Sequence, residues 1–248
     1  MPIEPKEFVA GVDGCKSGWI AIVYQYGRWV YSLHPNIAAL HLLYSEADSI
    51  LIDMPIGLIG DGTEGRSCDR LARKCLSPYR HSSIFTPPCR PALYTDLTEA
   101  SAANYKYTGK KLSRQSINII PKIREVDQFL LQLSKTQQKC YEEAHPELIF
   151  YGLNQKQALA SSKKTKEGIQ DRMAILSQHF PAFGKLYSKI LDQTKRKDLL
   201  PDDIVDAMSL AAAAILKKRS PKNWQQFPTP RVYDDEGLPM QLGYYASM

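Results

Sequence analysis

The chain begins with apolar stretches spaced as strands. Residues 8–13 form a short apolar run closed by Asp13, and a turn containing Gly14 and Gly18 follows. Residues 19–24 and 29–33 are rich in aromatic and β-branched side chains on either side of Tyr26-Gly27-Arg28, which predicts two further strands of a meander. Between residues 36 and 44 the period changes, with Ile37, Leu40 and Tyr44 recurring at helical spacing. Ser49-Ile50-Leu51-Ile52 then runs apolar without alternation up to Asp53-Met54-Pro55. A strand apolar on both faces is one covered on both faces, so this one belongs in the middle of a sheet, beside the first strand. The order β-β-β-α-β predicts a mixed α/β sheet with helices packed on it.

Residues 60–95 break the pattern with Gly60, Gly62, Gly65, Pro78, Pro87, Pro88 and Pro91, leaving a short helical piece around 68–75. An irregular stretch of that length is expected to serve a site. Helical spacing returns over 98–105 and 116–133, where Pro121 marks a helix start or a kink. A strand at 139–144 leads into His145-Pro146-Glu147 and a helix. Further helices are expected at 166–179 and 183–193, and the strongest at 202–217, whose apolar residues cover nearly every face and so mark a helix buried against the sheet. The expected organisation is one domain over residues 1–220 with an insertion at about 60–115. A tail over 221–248 follows, in which 231–233 and 240–245 form an edge hairpin.

Composition adds limits. The chain has 248 residues, 44% hydrophobic and 23% charged, enough apolar material for one large core. No stretch approaches the roughly 18–20 apolar residues of a membrane span, and the first residues show no basic segment followed by an apolar one. A cytoplasmic protein without membrane partners is therefore expected. Five cysteines at irregular spacing, with no CxxC pair, read as reduced thiols and not as a zinc ribbon or redox motif. The formal charge of +6 permits polyanion binding without requiring it. Basic residues gather at Lys110-Lys111-Arg114, Lys163-Lys164-Lys166, Lys195-Arg196-Lys197 and Lys217-Lys218-Arg219, each either a solvated run or a contact to nucleic acid or nucleotide.

The candidate chemistry lies in carboxylates. Asp13 and Asp53 each close an apolar strand, and strand ends along one edge are where α/β proteins place their sites. In Pro201-Asp202-Asp203-Ile204-Val205-Asp206-Ala207, Asp202 reads as a helix N-cap. Asp203 and Asp206 lie three apart and share a helix face. Asp206 falls inside an apolar run, where burying an unpaired charge is costly. Its partner is a metal ion or a basic side chain. Hard divalent cations such as Mg²⁺ or Mn²⁺ take oxygen ligands and can activate water for phosphodiester chemistry.

Several strings, taken in order, resemble a family of predicted RNase H-like nucleases. They are Gly11-Val12-Asp13-Gly14 with Gly18-Trp19, Ile52-Asp53-Met54-Pro55-Ile56-Gly57-Leu58, and Arg66-Ser67-Cys68-Asp69 with Ala72-Arg73. Ser82-Ser83-Ile84-Phe85, Glu125-Val126-Asp127, Glu143-Ala144-His145-Pro146-Glu147 and Asp203-Ile204-Val205-Asp206-Ala207 continue the series to about residue 219. The last string also resembles the final helix of RNase H-like Holliday-junction resolvases.

The resemblance implies an RNase H-like sheet with Asp13, Asp53 and Asp206 as metal ligands and Asp203 as a fourth. Many relatives of that superfamily carry Glu where Asp53 stands. Glu143 and His145 become candidates for a further ligand or general acid. Arg66, Arg73 and Arg90 are candidates for clamping phosphate, or for pairing with the acidic residues instead. Of Glu125 and Asp127, at most one is expected to face the site. The implied activity is divalent-metal-dependent cleavage of phosphodiesters. Two rivals stand beside it. One is a phosphotransferase of the actin-like or sugar-kinase type, using the turn Asp13-Gly14-Cys15-Lys16-Ser17-Gly18 to hold phosphates. The other is a binding module whose acidic residues are neutralised by arginines.

Overall fold

The computed structural model describes residues 7–246; the first six and last two residues, where the expected domain begins and its tail ends, lie outside the described residues. The chain opens with the expected meander, β1 (Val9–Cys15), β2 (Gly18–Gln25) and β3 (Arg28–His34). After α1 (Ile37–Tyr44), β4 (Ser49–Ile52) returns parallel to β1, with Val12 opposite Ile52. The middle of the chain forms α2 (Ser67–Leu76), α3 (Arg90–Leu93), α4 (Ala100–Thr108), α5 (Arg114–Gln132) and α6 (Lys135–Gln138). Next comes β5 (Tyr141–Glu143), parallel to β4, with Glu143 opposite Ile52. Then follow α7 (Pro146–Leu153), α8 (Lys166–His179), α9 (Ala182–Gln193) and α10 (Pro201–Arg219), and finally β6 (Trp224–Phe227) and β7 (Leu242–Tyr245). The strand order β3-β2-β1-β4-β5 makes a mixed five-stranded sheet flanked by helices.

Strand alternation sorts the core into two layers. Val9, Ile20, Ile22 and Leu51 pack with residues of α7 to α10 on one face. Ala10, Val12, Val23, Ile50 and Ile52 pack on the other with Ile37 and Leu40 of α1 and Ile120, Ile123 and Val126 of α5. This is why β4 reads as continuously apolar: all four of its residues are buried. Helix α10 lies closest to the sheet. At Gly11 of β1, a Cβ would overlap the backbone of Ala207, Leu210 and Ala211. Only a residue without a side chain lets helix and strand approach this far, and the approach brings the N-terminal turns of α10 alongside the end of β1.

Three local expectations change. Pro121 lies inside α5, which begins seven residues earlier at Arg114 behind the Ser113 cap; the helix runs through the proline at the cost of one backbone hydrogen bond. The 60–95 segment is tied down by short helices and arginine contacts. The tail hairpin forms with different partners: Phe227 pairs with Leu242 and Trp224 with Tyr245, leaving 231–233 outside the ladder save for a bridge from Tyr233 to Pro239. Pro228 and Pro230 have no N–H to offer a ladder. The carboxylate of Asp234 meanwhile accepts the N–H groups of Leu58, Glu236 and Leu238, which holds the 233–239 tip over the loop after β4. The five thiols are free. Among the described residues, no helix is long and apolar enough to cross a membrane.

Candidate carboxylate site at the strand ends

Parallel pairing of β1 and β4 sets Asp13 and Asp53 side by side where the two strands end, and the Asp53 N–H donates to Val12 O at 3.0 Å. Both follow, by two residues, positions facing α10: Gly11 and Leu51. The two carboxylates therefore point to the α10 side, and Asp206, one residue before the contact at Ala207, meets them there. Asp13 is 7% exposed and Asp206 1%. Burial, then the negative charges of Asp53 and Asp206, hold the Asp13 carboxyl well above the usual carboxylate range. Burial pushes Asp53 up to about 7; the Lys163 ammonium opposes that rise and the Asp206 charge adds to it. Three carboxylates that repel one another in a desolvated place form a site that favours cations.

Donors are scarce in the cluster. Asp13 Oδ1 accepts the N–H of Gly14 at 2.8 Å. Asp206 Oδ2 accepts from the Lys163 ammonium. Asp206 Oδ1 is buried without a partner. Among the described residues, no group of three or more His, Cys, Asp and Glu side chains is arranged so as to hold a metal ion; the cation among the aspartates is Lys163. Burial works against charge on Lys163, but Asp206, Asp13 and Asp53 outweigh it and hold its pKa above the usual lysine value.

Other predicted residues fall into separate roles. Asp203 sits at the third position of α10 and accepts the N–H of Leu200 at 3.0 Å, so Leu200 is the N-cap residue in place of the expected Asp202. Spent on the helix start, Asp203 stands a turn away from Asp206, and burial lifts it to about 6. His145 is the N-cap of α7, its Nδ1 accepting the Glu147 N–H at 3.2 Å. That bond leaves the proton on Nε2, which makes the ring a donor. Burial, then Lys163, hold His145 down to about 4, so it is neutral near pH 7.

Glu143 follows Tyr141 on the opposite face of the sheet from the aspartates. There it accepts Arg66 Nη1 at 2.9 Å and the Ile56 N–H at 2.7 Å. Burial pushes its carboxyl above the usual range against the pull of Arg66. Arg66 is itself buried, bonded also to Asp69 and to the carbonyls of Ile56 and Gly57. Arg90 pairs with Asp127 and Asp234. Both guanidinium groups are thus bonded to carboxylates of the chain itself, the alternative to clamping phosphate. Arg73 differs: half-buried, it bonds Ile84 O and Thr86 Oγ1 and lines an open cleft. Glu125 accepts Trp19 Nε1 and the Ile37 N–H while Asp127 takes Arg90 and Tyr94, so neither enters the cluster.

A cavity of about 20 Å³, bordered by Asp53, Arg66, Asp69, Glu143, His145, Ile84 and Phe85, connects the two sides of the strand ends; it has room for about one water. Ile84 and Phe85 also border a cleft of about 340 Å³. That cleft shares Arg73, Thr86 and Lys111 with a neighbour of about 190 Å³ that Arg70 and Lys110 also line. Of the other basic runs, Lys217, Lys218 and Arg219 are paired with Glu142, Asp48 and Glu7.

Two residues with clear roles were hidden from sequence reasoning. Lys163 reads there only as part of a basic run. Arg172, fully buried, holds Glu147 through Nη2 at 2.6 and 2.8 Å. A charged residue in the middle of a helix gives no sign of burial unless its partner is known, and Glu147 lies twenty-five positions away.

Residues 11–230 match a family model described as protein of unknown function (DUF429), and the chain belongs to that family. No curated protein and no solved structure matches it.

Proposed function

We propose that this protein is an RNase H-like hydrolase that uses a divalent cation, Mg²⁺ or Mn²⁺, to cleave phosphodiester bonds. Strand order β3-β2-β1-β4-β5, with β2 alone antiparallel to both neighbours and helices on both faces, supports the RNase H-like reading. The observation that carries the activity is Asp206 Oδ1, a buried carboxylate oxygen with no donor, beside Asp13 and Asp53. Leaving such an atom unpaired is costly, and hard oxygens with uncompensated charge suit Mg²⁺ or Mn²⁺. Asp13, Asp53 and Asp206 would hold the ion; when bound, it supplies charge for a reacting phosphate and acidifies a water. Neutral His145 borders the same cavity as Asp53, its ring engaged by the Glu147 N–H and the Ser83 backbone, so it shapes that wall without adding charge. The clefts lined by Arg73, Lys111, Lys110 and Arg70 lead from the cavity beside Asp53 and favour a polyanionic substrate, nucleic acid before mononucleotide.

The test is Mn²⁺-dependent hydrolysis of bis(p-nitrophenyl) phosphate and of labelled single- and double-stranded DNA and RNA. Metal-dependent cleavage lost in both Asp13→Asn and Asp206→Asn is expected. Cleavage undiminished in those variants would overturn the assignment of the site.

Lys163 favours one second reading, the binding module, in which a protein cation neutralises the acids. It is a lysine that does so, since Arg66 and Arg90 are bonded elsewhere. With all three acids ionised, one ammonium leaves two carboxylate charges uncompensated, which weighs toward the metal. The phosphotransferase reading draws less support: in the 13–18 turn, Gly14 N–H is bonded to Asp13, and Ser17 N–H to Asp198 O at 3.0 Å.

A further inference from the structure

Lys163 reaches the cluster from a segment fixed by its own bonds. Arg172 donates from Nη1 and Nη2 to Ser161 O, both at 3.2 Å, and from Nη1 to Gly168 O at 2.8 Å. Thr165 caps α8 by accepting the Gly168 N–H at 3.1 Å. Gly168 itself packs where any Cβ would overlap the carbonyl of Ser162. Residues 161–165 are thus held on both sides of Lys163, whose side chain, 34% exposed, extends from them to Asp206. The same Arg172 pairs with Glu147, an acid whose charge is felt at Asp53, and partly offsets it.

The charges can then be counted. Asp13, Asp53 and Asp206 together carry three negative charges when ionised, and Lys163 supplies one positive charge. Asp203 is spent on Leu200. The remainder matches one divalent ion, and Asp206 is divided to suit: Oδ2 bonded to Lys163, Oδ1 without a donor. We propose that Lys163 is the resident second cation of this site, occupying the place that a second divalent ion takes in two-metal phosphodiester hydrolases, so that the cluster accepts a single Mg²⁺ or Mn²⁺. This rests on the metal reading above. It makes Lys163 a positioning residue for the ion, and one that holds positive charge beside a reacting phosphate without needing a second metal.

The test is isothermal titration of Mn²⁺ into metal-stripped full-length wild type, Lys163→Met and Lys163→Arg, read alongside electron paramagnetic resonance of the loaded proteins. Wild type is expected to take one ion and to show an isolated-Mn²⁺ spectrum. Lys163→Met, relieved of a competing charge, is expected to bind at least about tenfold tighter or to take a second ion with a spin-coupled spectrum. Lys163→Arg keeps the charge and is expected to stay at one ion. Should the Met variant not fold, Lys163→Gln replaces it in the same titration. Two ions in wild type, or identical stoichiometry and affinity in wild type and Lys163→Met, would overturn this proposal while leaving the metal reading intact. No Mn²⁺ on either protein would overturn both.

Discussion

Two groups of carboxylates lie at the same strand ends, and their surroundings could hardly differ more. In the first group, Asp69 and Glu143 share Arg66, whose nitrogens also reach the carbonyls of Ile56 and Gly57, while the Ile56 N–H completes Glu143. On the α10 side, Asp13, Asp53 and Asp206 accept from one ammonium and a single backbone N–H, and one oxygen is left bare. Buried acids with every oxygen donated to act as ties; buried acids left short of donors are kept for something that arrives. The first group fastens the loop after β4 to α2 and β5. The second is the proposed site.

The contrast breaks first, and by the largest amount, at Arg66. Arg66→Met would leave Asp69 and Glu143 buried without their cation, at an expected cost of about 3–5 kcal/mol, read as a lowered urea midpoint with unchanged slope. A loss under about 1 kcal/mol, the size found for exposed pairs, would mean the network is no tie. The opposite sign is expected at the aspartates. Asp13→Asn keeps an oxygen for the Gly14 N–H and removes one of three repelling charges, so the metal-free protein should gain about 0.5–2 kcal/mol, as substitutions that relax a functional site do. A destabilised Asp13→Asn protein would place Asp13 among the structural acids.

The pH dependence sharpens the same distinction. Asp53 is pushed up to about 7, from an ordinary value of 3.8. The native state therefore keeps a proton that the unfolded chain has released, and stability falls as pH rises through that window. His145, held down to about 4, works the other way below its ordinary 6.5, where the unfolded chain binds the extra proton. Between pH 6.5 and 8 the carboxylates act without that opposition. Metal-free protein should lose up to about 1 kcal/mol over this range, and Asp53→Asn should flatten the profile. A wild-type profile flat from 6.5 to 8 would show that Asp53 is already ionised.

The fold was more legible than the site, for a physical reason. Period-two and continuous apolar runs mark β1 to β4 because each strand's neighbours are dictated by which faces are covered, and the burial of all four β4 residues is written in its composition. The meeting of Asp13 with Asp53 follows from that pairing. Asp206 stood out as a carboxylate in an apolar helix, and Gly11 is what brings it close. What could not be read was which basic residue answers which acid. Arg66, Arg73 and Arg90 look alike in an irregular stretch, yet two are buried ties and one borders a cleft. Lys163 looks like solvated charge, and only the Arg172 latch on Ser161 turns it inward.

The smallest effect separates Arg73 from the other two arginines. Its guanidinium bonds Ile84 O at 2.9 Å and Thr86 Oγ1 at 3.0 Å without an acidic partner in either bond, and it borders both clefts together with Lys111, which is exposed. An arginine without a carboxylate beside it keeps its charge for an outside anion. Arg73→Gln retains hydrogen-bonding capacity toward Thr86 while removing that charge, and Lys111→Ala removes its neighbour's. If nucleic acid lies along these clefts, each variant should weaken binding of a fluorescent oligonucleotide and reduce the slope of log affinity against log salt by about 1. The two reductions should add in the double variant, since each side chain would meet a different phosphate. Unchanged slopes in both would move the substrate off this surface, and would leave small phosphodiesters as the molecules suited to the carboxylate site.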